Sequence, residues 1–293
     1  MKSLISEFSY GFALTHELVL SLGSLSAAPI FPSLIEEGRE GGGYDVKLEA
    51  PGVPMFIQFK RSECLKRSSA KEIKAGARLD VPYYRMKITG KSDSFQHEML
   101  VELDQSPNIV FYAAPMFHQK HEFDQAFLSG AVRQRSFFTR PQDIGHFSDD
   151  KEHCVSFDGG TCVVMSEPRV IEGLGIFEVE SLLRDRLSED KRPLREVADE
   201  AVLEASYARE RLSKRIREKQ SARQMIEDVF QEQIIKEVLP ISAADTFIER
   251  QEANVPAIPT FSSVADSDMK SLQILADVGL REFNAQLYVV QES

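Results

Sequence analysis

The chain has 293 residues, 42% of them hydrophobic, with 16 glycines, 13 prolines and three cysteines, enough apolar material for one large or two smaller cores and too much for a disordered chain. A formal net charge of -11 excludes a uniformly basic coat for indiscriminate nucleic-acid binding. Cys64, Cys154 and Cys162 are too few and too scattered for a disulfide framework or a zinc ribbon, and no segment approaches the apolar run that a membrane span needs.

Taken in order, residues 4 to 22 read as a helix that brings Phe8, Phe12, Val19 and Leu22 near one face, with Gly23 as its stop. Its "LVLSLGSLSAAP" ends in small residues like an export signal. Glu7, His16 and Glu17 break any apolar core segment, so no signal peptide is expected, and with so few cysteines a reducing cytoplasm is. "APIFPSLIEEGREGGG" is a connection, with at most a short strand.

"YDVKLEA" then alternates, "PGVP" turns, and "MFIQFKR" continues as a strand with Met55, Ile57 and Phe59 facing opposite to Phe56, Gln58 and Lys60. "YYRMKI" reads as a strand, "SFQHEMLVELDQ" as a helix, "NIVFYAAP" as a buried strand and "HEFDQAFLSGAV" as a helix. "HCVSFDGGTCVVM" is a hairpin turning at Asp158, Gly159 and Gly160. This order predicts an α/β fold, a mixed central sheet flanked by helices, over residues 1–175.

From Phe177 onwards charged residues dominate and apolar ones recur every three or four positions, so 176–293 is expected as a helical region for oligomerisation or partner docking. Between Pro193 and Pro240 an unbroken helix would run about 70 Å, the alternative being two helices that break near Ser213 or Ser221. Its thin stripe of Val197, Ala201, Ala208 and Leu212 requires a covering helix, from the same chain or a second copy. "AQLYVV" is expected as an edge strand.

The chemistry concentrates before and on the Gln58 strand. Hydrolysis of a phosphodiester needs an activated water, charge compensation and help for the departing oxygen, all of which Mg2+ supplies. It needs only one or two carboxylates from the protein. Asp45, beside Gly41 to Gly43, suits a first ligand, and Lys60, on Gln58's face, suits an ammonium that orients water and stabilises negative charge. Glu7 is the first candidate for a helix carboxylate, with space left on its face by Gly11, and Glu17 is the second.

Between Lys60 and Lys91 stand ten basic residues against three acids, a surface suited to tracking phosphates. Arg61, Lys66, Arg67, Lys71, Lys74, Tyr84, Arg85 and Lys87 are its expected contacts, Tyr84 offering a ring for splayed bases. His118, His121 and Asp124 fall short of a zinc ligand set, as does the "EHC" at 152–154. No Gly-rich phosphate loop, nucleophile elbow or HExxH is present.

Glu7, Asp45, Gln58-Phe59-Lys60, "SFQHEMLVEL", "NIVFYAAP" and "HEFDQAFL" together resemble the restriction-endonuclease-like, or PD-(D/E)xK, nuclease superfamily over roughly residues 1 to 140. Gln58 stands where the motif commonly has an acid, as in the Mrr-like branch, and Tyr44 replaces the motif's proline. The resemblance implies a restriction-endonuclease-like core and Mg2+-dependent cleavage of DNA rather than RNA, with Mn2+ as a substitute. An endonuclease in restriction, anti-phage defence or repair is implied more than an exonuclease. It makes Asp45 a metal ligand and Lys60 the catalytic lysine, adds the Phe59 carbonyl as a ligand, and suits a homodimer with two sites on two strands. The competing expectation is a catalytically silent nucleic-acid-binding or scaffolding protein that acts through its C-terminal helices.

Overall fold

In the computed structural model, residues 1–30, 46–67, 73, 78–90, 94–165, 169–237 and 270–293 are described. The first helix, α1 (Glu7–Leu20), starts at Ser6, whose hydroxyl accepts from the Ser9 amide at 2.9 Å and satisfies one of the donors a helix start leaves open. Tyr10, Gly11, Ala13, Leu14 and Leu18 form its buried face. Phe8 and Phe12, expected near one face with Val19 and Leu22, are exposed, whereas Leu22 is buried.

The central sheet contains β1 (Leu25–Ile30), β2 (Val53–Phe59), β5 (Ile109–Pro115), β6 (Ser136–Thr139) and β10 (Gln286–Glu292), in the order β1-β10-β2-β5-β6. Only β2 and β5 run parallel, Gln58 standing opposite Tyr112. A second, antiparallel sheet has the order β3-β4-β7-β8-β9 and is built from β3 (Ser62–Leu65), β4 (Tyr83–Ile88), β7 (His153–Phe157), β8 (Cys162–Val164) and β9 (Arg169–Val170).

Each face of the central sheet carries its own core, as the period of two in β2 demands. Met55 and Ile57 pack with Ile109 and Phe111, with Leu14 and Leu18 of α1, and with Val179 and Leu183 of α5 (Ile176–Glu189). On the other face Phe56, Val110 and Tyr112 meet Met86 and Val155 of the second sheet. That core also takes Leu100 and Leu103 of α2 (Gln96–Leu103), Leu194 and Ala198 of α6 (Leu194–Glu237), and Leu275 and Phe283 of α7 (Lys270–Phe283). Two short helices, α3 (Lys120–Leu128) and α4 (Pro141–Ile144), flank β6 in sequence.

Helix α6 is unbroken for 44 residues. Val197, Ala201, Ala208 and Leu212 are all buried, and α2 and α7 of the same chain pack against the helix. A polar tie anchored on buried Glu102 adds to this contact: Glu102 of α2 accepts from Arg211 Nε at 2.7 Å and pairs with Arg215 Nη1 at 3.0 Å.

Three expectations change. Val46 to Ala50 is a turn rather than a strand, and the place beside β2 expected for "YDVKLEA" is taken by β10. The last strand is thus internal, not an edge, and residues beyond 176 complete the same sheet as the N-terminal part, so the expected boundary at 175 does not separate two cores. The architecture is mixed α/β with two sheets and a helical C-terminal region.

Candidate active site

The Gln58 and Lys60 side of β2 is directed into the core between the sheet and α2, and it carries polar groups that this core does not neutralise. Gln58 is 1% exposed, and neither polar atom of its carboxamide has a hydrogen-bond partner among the described residues. Burying an unpaired amide costs about 1–3 kcal/mol per lost bond, so the position is expensive unless a ligand supplies the contact.

Lys60 follows the end of β2. Its amide donates to the Ala113 carbonyl at 2.8 Å, continuing the parallel ladder by one residue, and its Nζ stands 5.5 Å from the centre of the Tyr112 ring. Removal from water lowers the pKa of its ammonium below the ordinary lysine value, and the charge of Glu7 opposes that shift.

Tyr112 is itself held. Its hydroxyl lies 3.0 Å from His97 Nδ1, and His97 Nε2 lies 2.8 Å from the Gly145 carbonyl. A carbonyl only accepts, so Nε2 carries the proton, Nδ1 accepts, and the Tyr112 hydroxyl donates. Burial drops the His97 pKa to about 4 and pushes the Tyr112 hydroxyl far above its ordinary range. The imidazole is therefore neutral at pH 7.

Glu7 is exposed in the first turn of α1, and Arg61 Nε lies 4.0 Å from it. The helix reaches this end of β2 on the opposite sheet face, where a Cβ on Gly11 would stand 2.8 Å from the Phe59 ring. The room expected beside Gly11 is filled by that ring. Glu17, the second candidate, is structural: it is 6% exposed, and its two oxygens accept from the amides of Val132 and Arg133, each at 2.9 Å.

Asp45 lies outside the described residues, as do Lys71 and Lys74. The chain re-enters at Val46, and the Gln291 carboxamide binds the Lys47 amide at 2.9 Å and its carbonyl at 2.8 Å. Gln291 follows Val290, the partner of Val53, so Lys47 sits at the start of β2 while Lys60 sits at its end.

The expected basic surface divides. Arg61, Lys66 and Arg67 are exposed, whereas Arg85 pairs with Glu63 at 2.6 Å and Lys87 with Glu152 at 2.9 Å. The Arg85 guanidinium holds the Glu63 carboxyl below its usual range. Tyr84 is half-buried against Phe157, 6.2 Å between ring centres, and burial pushes its hydroxyl to about 12. His118 and Glu122 organise the start of α3, with Glu122 accepting from the amides of His118 and Gln119, each at 2.8 Å.

Among the described residues no three His, Cys, Asp or Glu side chains gather as a metal site. Gln58, buried between the sheet and α2, and Glu7, exposed on the opposite sheet face, are not brought together as one donor set, although each offers oxygen, the donor that Mg2+ rather than zinc prefers. Sequence reasoning missed Tyr112 and His97 as the surroundings of Lys60, because the register of a parallel pair leaves no mark in either strand alone. No family model, curated protein or solved structure matches the chain.

Proposed function

We propose that this chain is a Mg2+-dependent nuclease that hydrolyses phosphodiester bonds, with DNA as its first substrate and Mn2+ able to replace Mg2+. The reading rests on one observation: the buried, unpartnered Gln58 carboxamide lies two residues before a half-buried, desolvated Lys60, at the carboxyl end of the parallel pair. Ligands in α/β folds bind outside the carboxyl ends of parallel strands.

A cation beside Lys60, with the Phe59 carbonyl and Glu7 as its candidate oxygen donors, would activate water and compensate phosphate charge. Lys60 orients the attacking water and donates toward the non-bridging oxygens, where charge grows as the bond to the leaving oxygen breaks. A desolvated ammonium serves this better than a hydrated one, because its attraction to phosphate is less screened. Arg61, Lys66 and Arg67 grip neighbouring phosphates. The resemblance of the Glu7, Asp45 and Gln58-Phe59-Lys60 set to PD-(D/E)xK nucleases supports the same reading, with restriction, anti-phage defence or repair as the setting that it implies. A second reading, a non-cleaving nucleic-acid binder, has in its favour that Gln58 brings one negative charge fewer than the common acid.

The experiment offers end-labelled single-stranded DNA, duplex DNA and RNA to purified protein with Mg2+, Mn2+ or EDTA. Cleavage that needs metal and vanishes in Lys60→Met and Asp45→Ala supports the nuclease; binding without cleavage under every metal supports the second reading.

A further inference from the structure

The face of α1 turned away from the sheet presents Phe8, Phe12, His16 and Leu20 at every fourth position, all exposed, the phenylalanines at 83% and 60%. His16 stacks on Phe12, 6.3 Å between ring centres, and lies 5.9 Å from Phe127 of α3, which extends the surface to Leu128 at 85% exposure. The helix "EFSYGFALTHELVL" contains no lysine or arginine.

We propose that this face is the contact between two copies of the chain, related by a two-fold axis that sets α1 against its mate. Taking about 150–250 Å² for an aromatic side chain and somewhat less for leucine, the exposed parts of Phe8, Phe12, Leu20, Phe127 and Leu128 present roughly 600 Å². That matches the upper end of the largest apolar patch on a typical monomer and approaches the roughly 800 Å² per partner of a stable interface. A two-fold contact requires a patch that complements itself, and a row of aromatic and aliphatic residues one helical turn apart does so when two such helices cross.

Charge narrows the occupant. With a net charge of -11, two copies repel over most of their surfaces, and an apolar face with few charges is where they can meet. An anionic membrane would be drawn by lysine and arginine on the same helix, which α1 lacks. The contact is also distinct from α6, whose stripe is covered within the chain.

Sedimentation velocity on the full chain tests the assignment. The expected result is a species of twice the 33.0 kDa chain mass for the wild type and of one chain for Phe8→Ser/Phe12→Ser, with unchanged circular dichroism and melting temperature. Leu203→Ser/Tyr207→Ser, on an exposed part of α6, keeps the dimer. A wild type that stays single up to about a hundred micromolar, whether or not it floats with phosphatidylcholine vesicles, overturns the proposal. So does a dimer that survives the α1 substitutions.

Discussion

Lys60 holds its ammonium against the face of Tyr112, 5.5 Å from the ring centre, while the tyrosine hydroxyl is fixed by His97 behind it. The ring's negative face attracts the cation and its bulk keeps water away, so one side chain both positions Lys60 and desolvates it.

Replacing Tyr112 separates these contributions from simple packing. Tyr112→Phe keeps the ring and is expected to hold kcat within about threefold. Tyr112→Leu, which removes it, lowers kcat about tenfold with KM unchanged, in line with roughly 1–2 kcal/mol for a desolvated cation on a ring. Steady-state cleavage of a short duplex measures both, and equal losses in the two variants would show that the ring does not act through Lys60.

The two α1 glutamates should part company. Glu17→Ala strips the Val132 and Arg133 amides of their acceptor and is expected to cost about 2–4 kcal/mol in urea unfolding, with cleavage intact below the transition. Glu7→Gln, at an exposed position, leaves stability within about 0.5 kcal/mol and lowers metal-dependent cleavage at least about tenfold. A reversed pattern would remove Glu7 from the site.

Restoring the common acid through Gln58→Glu adds a negative donor to the proposed cation site. The Mg2+ concentration for half-maximal cleavage is expected to fall about tenfold. In EDTA the variant is less stable than wild type by about 1–3 kcal/mol, because the new carboxylate is buried without a cation. Metal titrations followed by activity and by melting temperature check both; an unchanged metal requirement counts against a role for position 58.

His97 gives the fold a pH dependence of definite sign. The folded protein keeps it neutral down to pH about 4, whereas the unfolded chain takes up a proton near the ordinary value of about 6.5. Between these values the unfolded state binds more protons, so stability is present above pH about 6.5 and is lost as pH falls toward 4, by up to about 3 kcal/mol. His97→Gln cannot titrate, and the stability gap between wild type and variant should narrow across that window. Parallel curves would show that His97 does not carry the dependence.

The alternation of β2, with Gln58 and Lys60 opposite Met55, Ile57 and Phe59, was legible from residue spacing, as were β4, β5, α2, α3 and the helical character of α6, though not that it runs without a break. That Phe8 and Phe12 stay outside on α1 was not. Two stripes of that helix fit the helical period, and the choice between them is made by Gly11, whose missing side chain lets the helix settle on the Phe59 ring and turns Phe8 and Phe12 outward. The place of β10 was equally hidden: Val290 pairs with Val53 and Ala27, partners more than 200 residues away, and edge and internal strands of this length read alike. Glu17 showed its helix position but not its acceptor role, because the amides it caps come from a distant turn.

The central claim is that a divalent cation completes the buried Gln58 carboxamide beside Lys60. Titrating the full chain with Mn2+ while following free Mn2+ by electron spin resonance tests it most directly. The account predicts saturable binding that Mg2+ competes away and that Gln58→Leu weakens at least about tenfold while the protein stays folded. Absence of binding in the wild type, or equal affinity in Gln58→Leu, would contradict it.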